Sequence, residues 1–191
     1  MRNLPRKFYD REPSVVAREL LGKCLAHRSS GGTTVVRIVE TEAYEGKNDP
    51  ASHSYVGLTP RNWAIFEGPG HAYVYFIYGN HYCFNVTTRA NGAVLIRAGE
   101  PISGTEIMQR RRRVNDFLKL TSGPGNLTKA MAMNSRHNGA DLVRDRNLFI
   151  YVSKKRESFE IVRTRRVGIA KAKNRLLRFY IKGNDFVSGP K

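Results

Sequence analysis

The run Arg37-Ile38-Val39-Glu40-Thr41-Glu42-Ala43-Tyr44 constrains this chain more than any other segment. It continues an apolar, β-branched stretch, so a strand over 33–44 is expected, yet two carboxylates are set into it. Side chains alternate along a strand with period two, which places Ile38, Glu40, Glu42 and Tyr44 on one face. A carboxylate on a face meant for burial costs free energy unless a site requires it. An aromatic ring stands beside it, and the whole chain carries a formal net charge of +17. Acid–base chemistry on a planar group of a polyanion fits that combination, and nucleic-acid bases are the evident candidates.

The 191 residues suit one domain, 1–191, with ample length for a core. A hydrophobic content of 40%, with nine Tyr and nine Phe, argues for a globule rather than a disordered basic tail. The 33 Lys and Arg against 16 acidic residues are the electrostatic footprint of a phosphate-backbone partner. A solvated basic face or an acidic membrane surface is the plainer alternative, but the charge is interleaved with aromatics and no amphipathic membrane helix stands out. Residues 154–182 hold eleven Lys or Arg and two Glu, a net +9, so the last third is expected to supply much of the backbone-contacting surface. Cys24 and Cys83 have no metal-like spacing and read as core residues of a reduced, intracellular protein. That means cytoplasmic and nucleoid-associated in a bacterium, or nuclear in a eukaryote. No signal peptide or membrane-spanning run is apparent, and neither a metal nor another cofactor is expected.

A helix is expected over Pro13 to Leu21, ended at Gly22, followed by a strand over Lys23 to Arg28 and a turn at 29–32. Residues 45–70 form a long loop of the kind that is usually functional. His71 to Tyr78 and His81 to Thr88 make a hairpin around Gly79-Asn80, and Asn91-Gly92 signals a second turn before Ala93 to Ala98. Helices are expected over Gly104 to Leu120, with Arg110 to Arg113 in a row, and over Asn126 to Met133. Late strands follow at Asn147 to Val152, Phe159 to Arg163 and Leu176 to Ile181. The fold class is α+β: a single compact domain with a curved antiparallel sheet, a protruding β-hairpin and surrounding helices.

Tyr78, beside the hairpin turn, can protrude and wedge between base pairs, although many such tyrosines only pack locally. Tyr75 and Tyr44 can each stack on a base or serve as cross-strand residues. Glu40 and Glu42 stand roughly 6.5–7 Å apart along the strand, compatible with an inverting carbohydrate-glycosidase dyad. One working acid beside one structural, Arg-paired Glu is favoured. Arg97 ends the apolar run Ala93-Val94-Leu95-Ile96 and needs a carboxylate, for which Glu42 is a candidate, or it makes a salt bridge at the rim. His53, alone in the long loop, reads more readily as an exposed or structural residue. Four successive Arg on a helix cover all its faces, so only part of Arg110 to Arg113 is expected on phosphate.

The ordered set Arg37–Tyr44, Ala51-Ser52-His53-Ser54, Thr59-Pro60-Arg61-Asn62, Tyr73–Gly79, Cys83-Phe84-Asn85-Val86, Leu95-Ile96-Arg97-Ala98, Ser122-Gly123-Pro124 and Arg166-Val167-Gly168 closely resembles the alkyladenine (3-methyladenine) DNA glycosylase family. The resemblance spans about Arg18 to Ser188. It implies excision of 3-methyladenine, 7-methylguanine, hypoxanthine and ethenoadenine from double-stranded DNA by a monomer. It implies Glu42 as the general base for water, with Arg97 and the Val167 carbonyl holding that water. It implies Tyr44, His53 and Tyr75 as walls of the base pocket, with the His53 backbone amide reading the purine edge. Tyr78 corresponds to the minor-groove wedge, and Asn85 to a pocket residue that disfavours guanine. Asn80 and His81 depart from the larger apolar or aromatic residues usual beside the wedge. The rival reading is a non-catalytic nucleic-acid-binding module, which has no use for a carboxylate in an apolar strand.

Overall fold

The expected meander forms and grows into one eight-stranded antiparallel sheet. The computed structural model describes residues 2–153 and 157–189; part of the basic segment, 154–156, lies outside the described residues. The strands are β1 (Cys24–Ser29), β2 (Gly32–Tyr44), β3 (Ala72–Ile77), β4 (His81–Thr87), β5 (Ala93–Ser103), β6 (Leu148–Tyr151), β7 (Ile161–Thr164) and β8 (Arg178–Ile181). Their order is β3-β4-β5-β2-β1-β6, with β8 pairing β2 and β7 pairing β8. The helices are α1 (Arg6–Tyr9), α2 (Pro13–Leu20), α3 (Thr105–Arg112) and α4 (Pro124–Ala130). The fold class is α+β, as expected.

The 13-residue strand β2 is the axis of the sheet. Its first half pairs with β1, its second half with β8 through Glu40↔Tyr180 and Glu42↔Arg178, and its other edge with β5. The carboxylates therefore lie on a strand paired on both sides, far from any sheet edge.

Strict alternation along β2 does not hold. Its register with β5 slips between Ile38 and Glu40, where Val39 is the extra residue, and again between Glu40 and Thr41, where Arg97 is extra on β5. An extra residue bends a strand and re-aims the side chains around it. Ile38, Val39 and Ala43 all join the main core, and Thr41 donates to the Ala17 carbonyl of α2 at 2.9 Å. Glu40, Glu42 and Tyr44 thus share a face, but Ile38 does not share it with them.

The α2 stripe of Pro13, Val16, Ala17 and Leu20 follows helical spacing and is buried against β2. The helix expected over 104–120 stops at Arg112, because Arg113 takes φ 54 and Leu118 is in a separate short turn, Phe117–Lys119. Arg111 donates to the Ala130 carbonyl and to Ser29, and Arg112 to the Leu120 and Lys119 carbonyls, so both brace α3, while Arg110 and Arg113 are exposed. α4 begins at Pro124, two residues before the expected start, since proline is pre-organised for a first helical position.

The β3–β4 hairpin has a three-residue turn rather than two. Ile77↔His81 is the last pair, and Tyr78, Gly79 and Asn80 form the loop. Tyr78 adopts φ 54 and Gly79 φ 70. A tyrosine in the left-handed region costs on the order of 1 kcal/mol or more, and such strain concentrates at working sites. The second signal, Asn91-Gly92, closes a longer link in which Thr88 N–H donates to the Gly92 carbonyl at 2.8 Å. The 45–70 loop holds three short helical turns, Gly46–Asn48, His53–Val56 and Trp63–Glu67.

Candidate active site

The bulge at Arg97 turns its guanidinium toward the two carboxylates of β2. Arg97 Nε lies 2.9 Å from Glu40 Oε1, and Nη1 lies 3.3 Å from Glu42 Oε1. Its side chain is only 9% exposed, so this is an interior ion pair, not a rim salt bridge. Burial works against the Arg97 charge, but Glu42 and Glu40 outweigh it and hold its pKa above the ordinary arginine value.

Glu40 and Glu42 are both fully buried and differ in what surrounds them. Glu40 Oε1 accepts from Arg97 and from Arg178 Nε at 2.7 Å, and Oε2 accepts from the Ser188 amide and hydroxyl, each at 2.7 Å. An ionised carboxylate offers about four acceptor positions, so Glu40 is saturated. Glu42 Oε1 faces Arg97 and accepts the Val167 N–H at 2.8 Å, while Oε2 accepts, among the described residues, only the Tyr44 hydroxyl at 2.9 Å. Glu42 therefore keeps unused acceptor capacity on Oε2. Burial pushes its pKa up, against the opposing pull of Arg97, the Val167 amide and Tyr44. A raised carboxylate is a stronger base than a solvated one once ionised.

In front of this cluster lies a cavity of about 300 Å³, lined in part by Tyr44, His53, Tyr75, Tyr78, Asn85, Arg97 and Val167. Seven of the eight residues singled out from sequence thus meet in one place. The eighth, Glu42, stands immediately behind the wall: it has no exposed surface, and its three partners Tyr44, Arg97 and Val167 all face the cavity. The volume sits at the small end of the roughly 300–1,000 Å³ usual for ligand pockets.

Much of the wall is aromatic. The rings of His53 and Tyr75 lie 4.5 Å apart, and those of Tyr73 and Tyr75 5.2 Å. His53 is exposed, as its loop position suggests, yet its ring is held in the cavity wall by Nδ1, 2.8 Å from the Tyr73 hydroxyl. Desolvation of its ring, with the nearby Arg61 charge, pushes the His53 pKa below the ordinary histidine value. Burial likewise raises the phenols of Tyr44 and Tyr75. Asn62, itself buried, donates to the carbonyls of His53 and Gly57 at 2.8 Å each and fixes the loop that carries His53. Asn85 donates to the Tyr73 carbonyl at 3.0 Å from the facing strand. Tyr78 is 77% exposed at the mouth. His81 packs against Gly125 of α4, so the hairpin root rests on that helix.

Several contributors escaped the sequence reading. Tyr73 and Cys83 also line the cavity, so Cys83 is a wall residue rather than only a core residue. Val167 meets Glu42 through its amide, whereas the expectation concerned its carbonyl. Behind Tyr44 lies Arg166, whose guanidinium sits 4.7 Å from the ring centre and pairs with buried Asp49. Asp49 and Arg166 are 117 positions apart, and only folding reveals such a pairing. The place of Arg166 beside Val167 is the one signal the sequence offered.

The family profile described as "Methylpurine-DNA glycosylase (MPG)" matches residues 7–185. A relative from Desulfitobacterium hafniense (strain Y51) is 45% identical over 204 residues, covering 98% of this chain and 99% of its own. One from Clostridium acetobutylicum is 49% identical, covering 97% of each chain. One from Methanoculleus marisnigri is 49% identical, covering 97% of this chain and 98% of its own. All three carry the provisional name 3-methyladenine DNA glycosylase. With a profile match over nearly its whole length and full-length relatives at this identity, the chain belongs to the methylpurine-DNA glycosylase family.

Proposed function

We propose that this protein, as a monomer of a single domain, hydrolyses the N-glycosidic bond of alkylated or deaminated purines in duplex DNA, with Glu42 activating the water, and leaves an abasic site. Family membership makes it a DNA glycosylase, a hydrolase of base excision repair. The finer reading rests on one observation: of the two carboxylates behind the aromatic cavity, Glu40 and Glu42, it is Glu42 that keeps acceptor capacity among the described residues.

The basic surface holds DNA phosphates, and Tyr78 enters the minor groove as the lesion rotates out. Unstacking costs a few kcal/mol, less for a damaged or mispaired base. Tyr44, Tyr75 and His53 enclose the purine. Ionised Glu42 orients and deprotonates water as the bond to the base breaks, and the same negative charge stabilises the cationic character that develops on the sugar. Arg97 and Val167 hold the carboxylate in place and face the space the water needs. The saturated Glu40 has no free oxygen for a second acid–base role, which disfavours the two-carboxylate reading. Asn85 limits entry of normal guanine through its exocyclic amine. No amine nucleophile is invoked, so the enzyme is monofunctional.

The test is free-base release from duplexes that each carry one of 3-methyladenine, 7-methylguanine, hypoxanthine or ethenoadenine, with borohydride added in parallel. Release of modified purine without a trapped protein–DNA adduct is expected. A panel with no release, or a covalent adduct, contradicts the proposal.

A further inference from the structure

The buried pair Arg166–Asp49 is absent from the mechanism above. Both side chains are completely inaccessible. Arg166 Nη1 reaches Asp49 Oδ2 at 2.5 Å, and Nη2 reaches Oδ1 at 2.9 Å. Nη1 also donates to the Ala43 carbonyl at 2.9 Å, one residue before Tyr44. The guanidinium covers the Tyr44 ring, and the next residue, Val167, sends its amide to Glu42. Asp49 in turn accepts from the Glu45 and Ala51 amides, which anchors the loop leading to His53. Three elements of the site therefore converge on one ion pair: the end of β2, the pocket loop and the segment bearing Val167.

Stability alone does not explain this arrangement. A buried ion pair is often no better than well-packed apolar residues of similar volume. Arg166 Nε, moreover, is buried without a hydrogen-bond partner among the described residues. Leaving a buried donor unsatisfied is costly.

We propose that Arg166 and Asp49 are positioning residues for the reaction, together fixing the Val167 amide and the Tyr44 hydroxyl on Glu42 and balancing the charge beside it. The proposal rests on Glu42 as the base. The charged and titratable groups around Glu42 are Arg97, Tyr44, Glu40, Tyr75, Cys83 and Arg166 itself, and those around the pair are Arg175, which also binds Glu45, together with Tyr44 and Glu42.

The charge balance gives a readout that a purely structural role would not move. Asp49→Asn leaves the Arg166 cation uncompensated near Glu42, favours the ionised base, and shifts the acid limb of the single-turnover pH profile to lower pH. Arg166→Met leaves the Asp49 anion uncompensated and shifts the limb to higher pH. Each also lowers the plateau rate at least tenfold. The double variant, with no charge left unpaired, restores the parental limb but not the rate. Arg166→Lys keeps the charge, so its limb stays near the parental pH. If either single variant fails to fold, the double variant and Arg166→Lys carry the test. Parental plateau rates in folded variants, or limbs that move the same way in both single variants, overturn the proposal. Failure of the Glu42 assignment is separable, because it appears as undiminished base release by Glu42→Gln measured alongside.

Discussion

At the scale of single residues, the burial of Glu42 has two measurable consequences. Its folded-state pKa lies above the ordinary glutamate value, chiefly through loss of solvation. Excision needs the ionised form, so its rate is expected to fall on the acid side at a pH above the usual carboxylate range. The effect on stability has the opposite sense. Between the unfolded and the raised folded pKa, the folded protein binds the proton more tightly, so stability declines as pH rises through that window. At neutral pH the ionised carboxylate is a cost, and Glu42→Gln should unfold at the same temperature as the parent or higher. The difference should shrink as pH drops below the raised value. Thermal unfolding across pH checks this; a variant less stable at pH 7 by more than about 1 kcal/mol would mark Glu42 as a structural group. Tyr78 behaves differently. Because it is 77% exposed, Tyr78→Ser should leave stability within about 0.5 kcal/mol. It should still slow excision from duplex far more than from a single strand carrying the same lesion, and equal slowing on both substrates would remove the wedge role.

At the scale of elements, β2 was legible as a strand because its β-branched, apolar residues and polar interruptions were local. The bulges at Val39 and Arg97 were not, since a bulge depends on the partner strand's register. Those bulges bring Arg97 onto the carboxylates and place Ile38 in the core. Gly79-Asn80 marks the hairpin in the sequence, but the true turn includes Tyr78, whose left-handed backbone no propensity favours. The early end of α3 at Arg113 was hidden because its arginines are all adequate helix formers. Gly125 offers a test at this scale. An added Cβ would meet the His81 ring at 2.8 Å. Gly125→Ala is therefore expected to displace the hairpin root and slow duplex excision several-fold while the melting temperature holds or rises. Unchanged single-turnover rates would mean that α4 does not support the wedge.

At the scale of the whole molecule, the charge of +17 is the feature that sequence alone conveyed most directly. A protein neutralising several phosphates loses affinity steeply with salt, so the log–log slope for lesion duplex should be strongly negative, about −0.9 per phosphate contact. A flat response would remove DNA-backbone binding from the account. The ordered motifs also assembled as a set, with seven of the eight named side chains around one cavity and Glu42 directly behind its wall. Partnerships between distant segments stayed invisible: Glu40 with Ser188, and Asp49 with Arg166. These separate a saturated carboxylate from one with capacity to act. The most direct measurement is single-turnover base release by Glu42→Gln on a lesion duplex, with binding measured on the same preparation. Glu42 as the general base requires affinity within a few-fold of the parent and a rate lower by about 10²–10⁴-fold, the span usual for such a loss. Base release at the parental rate would contradict it.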